Sequence, residues 1–151
     1  MLARLIRLLG LDEARSPAAG DRRLAVAALL MEAAATDGRI DEDERARILA
    51  LLMRAFSLGE DAARALVKRA AQRQADAVEL HGFTRVLKSE LTSQERIALI
   101  EMLWEVALAD GNLHEYEDQL IRRVAGLLYV DDRARGEARQ RVQARLTQEG
   151  T

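Results

Sequence analysis

The sequence has no cysteine, a single proline and only 3% aromatic residues. Without cysteine the chain has no disulfide, no thiolate metal site and no cysteine nucleophile, which is compatible with a reducing cytoplasm. Histidine is scarce too, because His81 and His114 are the only two, and their spacing is not that of paired zinc ligands. A zinc site would therefore need carboxylates from distant positions of the chain.

Long apolar runs are also missing. The longest one without a charge, Leu24–Met31, is far shorter than the roughly 20 residues of a membrane-spanning helix. Arg4 and Arg7 interrupt the apolar stretch that a secretory signal would need near the N-terminus. The formal net charge of −2 provides no whole-molecule attraction to nucleic acid or anionic lipid. We therefore expect a soluble, cytoplasmic protein with no transmembrane segment and no nucleic-acid partner.

Motifs of common enzymes are absent as well. The sequence has no glycine-rich phosphate loop, and no nucleophile-elbow motif surrounds its four serines. Its acids concentrate where helices are expected to begin, whereas acid–base catalysis needs paired carboxylates in a cleft. We therefore expect no enzymatic activity.

The residues that are abundant favour helices. Alanine, leucine, arginine and glutamate dominate a chain of 151 residues that is 49% hydrophobic, and all four are good helix formers. No segment combines period-two alternation with β-branched residues. The sequence thus predicts an all-α, single-domain bundle of seven to eight helices, with an N-terminal amphipathic helix and linker at 1–20 and the main domain at 21–147. Leu2, Leu5, Ile6 and Leu9 form the apolar face of Met1–Gly10, and Asp12–Gly20 is the expected linker. The other predicted helices cover about 21–36, 41–56, 60–75, 80–91, 93–108, 115–129 and 132–147.

An internal repeat is the most informative pattern in the chain. The block LLMEAAATDGRIDEDERARI aligns without a gap with MLWEVALADGNLHEYEDQLI, at an offset of 73 residues. Such a duplication predicts two similar helix–turn–helix units related by pseudo-symmetry. The matching pairs are Glu32 and Glu105, Asp37 and Asp110, Glu42 and Glu115, Glu44 and Glu117, and Ile48 and Ile121.

Each unit has an acidic turn, which we define as residues 37–44 in the first copy and 110–117 in the second. A glycine just past a helix end permits the left-handed backbone of a sharp turn. In the first copy Asp41 is the predicted N-cap and Glu44 the third helical residue of an acidic capping box. Thr92 and Glu95 are predicted to form a second capping box.

Asp37 and Asp110 need a separate explanation, because an acid at a helix C-terminus is unfavourable by roughly 0.3–1 kcal/mol. In one interpretation each carboxylate accepts hydrogen bonds from backbone N–H groups of its turn. In the other, Asp37 with Glu44 and Asp110 with Glu117 hold a weakly bound divalent cation or a basic partner. An EF-hand is excluded, because Ala33 and Ala35 stand where calcium ligands would be required. Asp41, Glu42 and Glu115 are the further candidates for partner binding.

The segments ALLMEAAATDGRIDEDE and LIEMLWEVALADGNLHEYE together resemble the TerB-like family, which is associated with tellurite resistance. The resemblance covers about residues 22–130 and implies an all-helical, pseudo-symmetric domain with no established enzymatic activity. It also implies a cytoplasmic location, in some members peripheral to the inner membrane beside other resistance proteins. The family's acidic-turn residues correspond to Asp37, Gly38, Asp41, Glu44, Asp110, Gly111 and Glu117. His114 replaces the acid found at Asp41, so the two turns are not equivalent cation sites.

These observations lead to three hypotheses about function. The first is a non-enzymatic interaction domain in a stress or tellurite/metal resistance assembly, which presents its acidic turns to a partner protein or a divalent cation. The second is a metal-dependent enzyme that uses the same carboxylates with His114. The third is recruitment to a membrane surface through Met1–Gly10, although docking of that short segment onto the bundle or onto a second subunit is the preferred interpretation. We expect the arginine-rich last helix to present a solvated face and Trp104 to lie in the core.

Overall fold

The computed structural model describes residues 17–35, 40–73, 77–109, 111 and 113–149. These residues form seven α-helices and contain no β-strand, which confirms the prediction of an all-α single domain. Met1–Gly10 lies outside the described residues. The helices are α1 (Pro17–Ala34), α2 (Glu42–Phe56), α3 (Glu60–Ala71), α4 (Ala77–Glu90), α5 (Ser93–Leu108), α6 (Glu115–Leu127) and α7 (Asp132–Glu149).

Some helix boundaries differ from the predicted ones. Helix α1 begins at Pro17, so the end of the predicted linker is helical, because proline is well accommodated in the first turn of a helix. Helix α6 ends at Leu127, two residues early, because Tyr129 adopts a left-handed backbone with φ 59°. The Val130 N–H then donates to the Ala125 carbonyl at 2.8 Å, which closes the helix end.

Both predicted capping boxes are confirmed. The backbone N–H of Glu44 donates to Asp41 Oδ1 at 2.8 Å, and the N–H of Asp41 donates to Glu44 Oε1 at 3.4 Å. At the start of α5, the N–H of Thr92 donates to Glu95 Oε1 at 2.9 Å and the N–H of Glu95 to Thr92 Oγ1 at 3.2 Å. Two helix starts are therefore determined by residues only three positions apart.

Helix α1 is the centre of the bundle. It contacts α2, α3, α4, α5 and α6, and every residue from Leu24 to Met31 is buried. The helix predicted over about 21–36 is therefore buried around its whole circumference at Leu24–Met31, although its apolar spacing alone would also fit a helix with one buried face. Its apolar residues lie on all sides because neighbouring helices surround it.

Helix α5 forms the second layer of the core and packs against α1, α2, α6 and α7. Trp104 is 1% exposed, which confirms its predicted place in the core. Its indole N–H donates to the Arg135 carbonyl of α7 at 3.2 Å, so the polar edge of the ring is satisfied despite its burial.

The second helices of the two units, α2 and α6, begin at Glu42 and Glu115, positions that the repeat pairs. Their N-caps differ, because Asp41 forms a capping box whereas His114 makes no side-chain capping bond. The pseudo-symmetric relation between the two units stays a prediction. None of the described helices is sufficiently long and apolar to cross a membrane.

Candidate functional site

A cavity of about 660 Å³ lies where the two helix–turn–helix units meet. Residues from the end of α1, the start of α2, the end of α5 and the start of α6 line it, and we call it the turn groove. Alanine supplies much of its surface because short side chains at these helix ends leave space between the backbones. The apolar lining residues are Ala34, Ala46, Ala50, Val106, Ala107 and Ala109, and the polar ones are Asp41, Asp43, Glu44, Arg47, His114 and Glu117.

The turn groove is acidic. Four carboxylates from the described lining residues face one guanidinium, that of Arg47. Asp41 and Asp43 are exposed at its rim, whereas Ala34 and Ala107 are buried in its floor. Carboxylates grouped around a concave apolar surface concentrate negative potential there, because field lines are focused by the low-dielectric walls.

Glu117 is the most deeply placed of these acids. It is only 4% exposed, and the His114 imidazole Nε2 lies 4.0 Å from its Oε1. Burying a carboxylate is costly unless neighbouring groups offset the lost hydration. His114, whose side chain is about half exposed, is one such neighbour when it is protonated. In the first turn Asp41 stands at the position equivalent to His114 and caps α2 instead.

The first turn uses its acids differently. Asp41 and Glu44 hydrogen-bond each other's backbone at the start of α2, so one function of both residues is to cap that helix. Asp43 and Glu42 lie in the same first helical turn, where negative charge complements the helix dipole. Helix capping and the helix dipole therefore account for the acids at the start of α2. Asp41, Asp43 and Glu44 also line the turn groove.

The predicted site residues are brought together only in part. Glu44 and Glu117 both line the turn groove, as does Asp41. Glu42 and Glu115 are exposed but are not among its lining residues, and Glu115 Oε1 accepts from the Gln119 amide at 3.1 Å.

Asp37 and Asp110 lie outside the described residues. In the chain, Asp110 directly follows Ala109, which lines the groove. Within the part of the chain that the structure describes, no three His, Cys, Asp or Glu side chains are placed to hold a metal ion. The predicted cation site, which needs Asp37 and Asp110, therefore stays a prediction.

The sequence did not predict two features, one in the lining of the groove and one next to it. Arg47 enters the lining from one turn beyond Glu44, and its three-residue spacing from that acid was the only sequence pattern that pointed to it. The Tyr116 hydroxyl, next to Glu117 in α6, donates to Glu32 Oε1 of α1. Burial, together with the hydrogen bond to Glu32 and the negative charge of Glu32, raises the pKa of Tyr116 to about 12.

A second, smaller cavity of about 370 Å³ lies between α2, α5 and α7, and we call it the ion-pair cavity. Glu105 Oε2 lies 3.3 Å from an Arg54 guanidinium nitrogen, and Arg145 lies 2.8 Å from Glu105 and 3.1 Å from Glu101. Its acids are thus matched by arginines from two other helices. The charged lining residues of this cavity are two acids and two arginines, so their formal charges cancel.

Several arginines of α7 form ion pairs or cation–π contacts instead of a continuous exposed basic surface. Arg133 pairs with Glu137 at 3.0 Å, Arg135 with Asp132 at 2.7 Å and Arg141 with Glu101 at 3.4 Å. The Arg139 guanidinium lies over the Trp104 ring, 5.2 Å from its centroid, a cation–π geometry. Several α7 arginines therefore fasten the helix to itself and to α5, where we had expected only a solvated face.

Comparison with known proteins shows which family the chain belongs to. A family model described as tellurite resistance protein TerB matches residues 23–140. This span is well over half of the chain and contains every described residue of the turn groove. Comparison with curated proteins and with solved structures gave no match.

Proposed function

This chain belongs to the tellurite resistance protein TerB family, and we propose that it is a non-enzymatic interaction domain of a stress or tellurite/metal resistance assembly in the cytoplasm. In this proposal the turn groove binds a positively charged group, supplied by a basic side chain of a partner protein or by a divalent cation. The supporting observation is that one groove contains four carboxylates from both units and one guanidinium.

The arrangement of these acids suits binding better than catalysis. Catalytic carboxylates work as a pair whose environments separate their pKa values. Here Asp41 and Glu44 hydrogen-bond to backbone N–H groups at the start of α2, which ties them to the helix rather than to a reacting group. Glu117 lines the same groove and is 4% exposed, and its carboxylate would accept a charge-assisted hydrogen bond from a partner's ammonium or guanidinium.

The proposal is tested by titrating the full chain and following its amide signals by NMR. Calcium, magnesium and zinc ions are added separately, and a trilysine peptide serves as the basic probe. We expect saturable shifts confined to groove residues such as Ala34, Arg47 and Ala109. Asp37→Asn combined with Asp110→Asn should keep the fold and weaken that binding, because two negative charges are removed from the acidic turns, whose residues Asp41, Glu44 and Glu117 line the groove.

The matched control is Glu60→Gln with Asp61→Asn, which removes two charges from the first turn of α3, a helix that does not line the groove. This control should bind the probes as the natural chain does. An absence of localised shifts with all three cations and with trilysine would contradict the proposal. A large loss of thermal stability in the Asp37/Asp110 variant with unchanged binding would show that these residues are helix caps only.

A further inference from the structure

Helix α7 is attached to the bundle by little apolar burial. It packs mainly against α5 and also contacts α6. Two of its described residues, Ala138 and Val142, are buried, and both have short side chains. Helix α2 is shorter but buries the larger side chains of Ile48, Leu49, Leu51 and Leu52. Because the stabilisation from burial grows with the apolar area removed from water, hydrophobic contacts hold α7 less firmly than they hold α2.

The other contacts of α7 with α5 are largely polar. Arg141 lies 3.4 Å from Glu101, and Arg145 lies 3.1 Å from Glu101 and 2.8 Å from Glu105. Both arginine side chains are about half exposed. Ion pairs between partly hydrated groups contribute little net stability and are weakened by salt. Release of α7 would hydrate both partners of each pair, so the free energy lost with these contacts is small.

Trp104 of α5 lies beneath α7. Its ring is 1% exposed, its indole N–H donates to the Arg135 carbonyl at 3.2 Å, and the Arg139 guanidinium lies 5.2 Å from the ring centroid. Glu101 and Glu105 flank it on the same helix. Helix α7 therefore covers an aromatic side chain with an acid on either side, a combination suited to binding a basic helix.

From the small apolar contact, the partly exposed ion pairs and the covered indole, we infer that α7 is a latch. It detaches as a unit while α1–α6 stay folded, as single elements of many proteins do, and its release uncovers a docking surface centred on Trp104. The contacts of α7 define the partner: an amphipathic helix whose two arginines, spaced like Arg141 and Arg145, meet Glu101 and Glu105. Helices α1, α2, α5 and α6 line the turn groove, so this inference does not depend on the proposed function.

Hydrogen exchange of the full chain, followed by NMR, tests whether α7 opens separately. We expect the Val142 amide and the Trp104 indole N–H, corrected for their intrinsic rates, to exchange at least about tenfold faster than the amides of Leu30 in α1 and Leu66 in α3. Equal protection at all four positions would overturn the inference, because α7 would then open only when the whole domain unfolds.

A pair of substitutions tests the contribution of the ion pairs. Arg141→Gln with Arg145→Gln should speed exchange of the Trp104 indole roughly tenfold, since the variant lacks three ion pairs to α5. The matched control is Arg64→Gln with Arg133→Gln. These arginines pair with acids of their own helices, contacts that persist when α7 detaches, so the control should exchange as the natural chain does.

Salt provides a second measurement that needs no substitution. Raising sodium chloride from 0.01 to 1 M shortens the screening length from about 30 Å to about 3 Å, and this should speed exchange of the Trp104 indole in the natural chain. The Arg141/Arg145 variant should respond less, because the screened contacts are already absent. Exchange that neither salt nor the variant alters would contradict a latch held by these ion pairs.

The docking surface is tested with α7 held open in the full chain. Val142→Asp places a charge at a buried contact of α7, so we expect acrylamide to quench the fluorescence of Trp104, the single tryptophan, while the Leu30 amide stays protected. Loss of protection at Leu30 as well would overturn the latch. A synthetic peptide with the sequence of residues 132–149 is then the probe for binding.

This peptide should give saturable shifts of the Trp104 indole signal in the Val142→Asp chain. Binding should be weaker to the natural chain, where α7 occupies the surface. A control peptide carrying Arg141→Gln and Arg145→Gln should bind roughly tenfold more weakly to the open chain. No saturable shift with the first peptide, or equal binding of both, would overturn the assignment of this surface to an arginine-bearing helix.

Discussion

Tyr116 and Glu32 show how a contact between single residues joins the two units of the fold. They lie 84 positions apart, and the phenol of α6 donates to the carboxylate of α1. Glu105, the residue that the repeat pairs with Glu32, contacts Arg54 of α2. In each case an acid on the first helix of one unit binds a residue on the second helix of the other unit.

The raised pKa of Tyr116 gives a prediction for this contact. In a Tyr129→Phe background Tyr116 is the only tyrosine, and its absorbance should titrate with a midpoint of about 12. Glu32→Gln should move that midpoint down toward 10, the ordinary value of tyrosine, because the carboxylate charge is removed while burial remains. Glu60→Gln on α3 is the control and should leave the midpoint unchanged.

The same shift has a defined effect on stability. The folded state holds the phenol proton more tightly than the unfolded chain does, so the stabilising contribution is fully present below a pH of about 10. It is lost as the pH rises through about 12. If the tyrosinate of the Glu32→Gln protein titrated as in the parent, the carboxylate would have no part in the shift.

Helix ends determine much of the architecture at the scale of the elements. Helix α6 ends with Tyr129 in a left-handed conformation, 74% exposed, at a position usually taken by glycine. The Lys88 ammonium of α4 lies 4.4 Å from the centre of its ring, and Arg96 donates to the Leu128 carbonyl at 3.2 Å. Contacts from α4 and α5 thus help to stabilise a helix end that the backbone alone would disfavour.

Glycine within helices provides a prediction at this scale. Gly82 lies inside α4, is exposed, and a Cβ added there would meet nothing within 4 Å. Gly82→Ala should raise the free energy of unfolding by about 0.5–1 kcal/mol, because alanine loses less backbone entropy in a helix. The measurement is urea denaturation, with an unchanged m-value as the sign that both proteins unfold in the same way.

Gly111 is the matched comparison. It too has space for a Cβ, but its φ of 83° is left-handed, a conformation that costs roughly 1–2 kcal/mol for a residue with a side chain. Gly111→Ala should therefore lower stability. A gain from both substitutions, or a loss from both, would show that backbone conformation does not control these two sites.

The whole molecule is organised around α1, which contacts five other helices. Its apolar residues are enclosed by both units, while the ion pairs between α2, α5 and α7 lie nearer to solvent. Burial of apolar surface is the larger stabilising contribution in such an arrangement, because exposed ion pairs are strongly hydrated and contribute little.

Leu30→Ala tests this difference. Leu30 is fully buried in α1, and we expect its truncation to lower the free energy of unfolding by about 2–5 kcal/mol through lost burial and the resulting cavity. Glu105→Gln should cost about 1 kcal/mol or less, since Arg54 and Arg145 remain accessible to water. Chemical denaturation measures both, and equal losses would mean that the ion pairs are as important as the central helix.

Much of the secondary structure could be predicted from local sequence. The capping boxes at Asp41 and Thr92 were identified correctly because donor and acceptor lie three residues apart, and such contacts form in any helix start with that pattern. The all-α class followed from helix-forming residues, and the family from its two acidic turns. The predicted linker was wrong from Pro17 onward, because a proline that is typical of turns is also favoured at the first position of a helix.

The tertiary structure decided the features that depend on distant residues. Helix α1 is buried on all sides only because five helices surround it, whereas its sequence also fits a helix with one apolar face. The turn groove exists because the ends of α1 and α5 meet the starts of α2 and α6, and the link between Glu32 and Tyr116 depends on the same packing. Local propensity acts within a few residues, whereas burial and electrostatic environment are set by whichever segments pack together. The sequence alone therefore determined the helices, their caps and the acidic turns, and packing decided that both turns share one acidic groove.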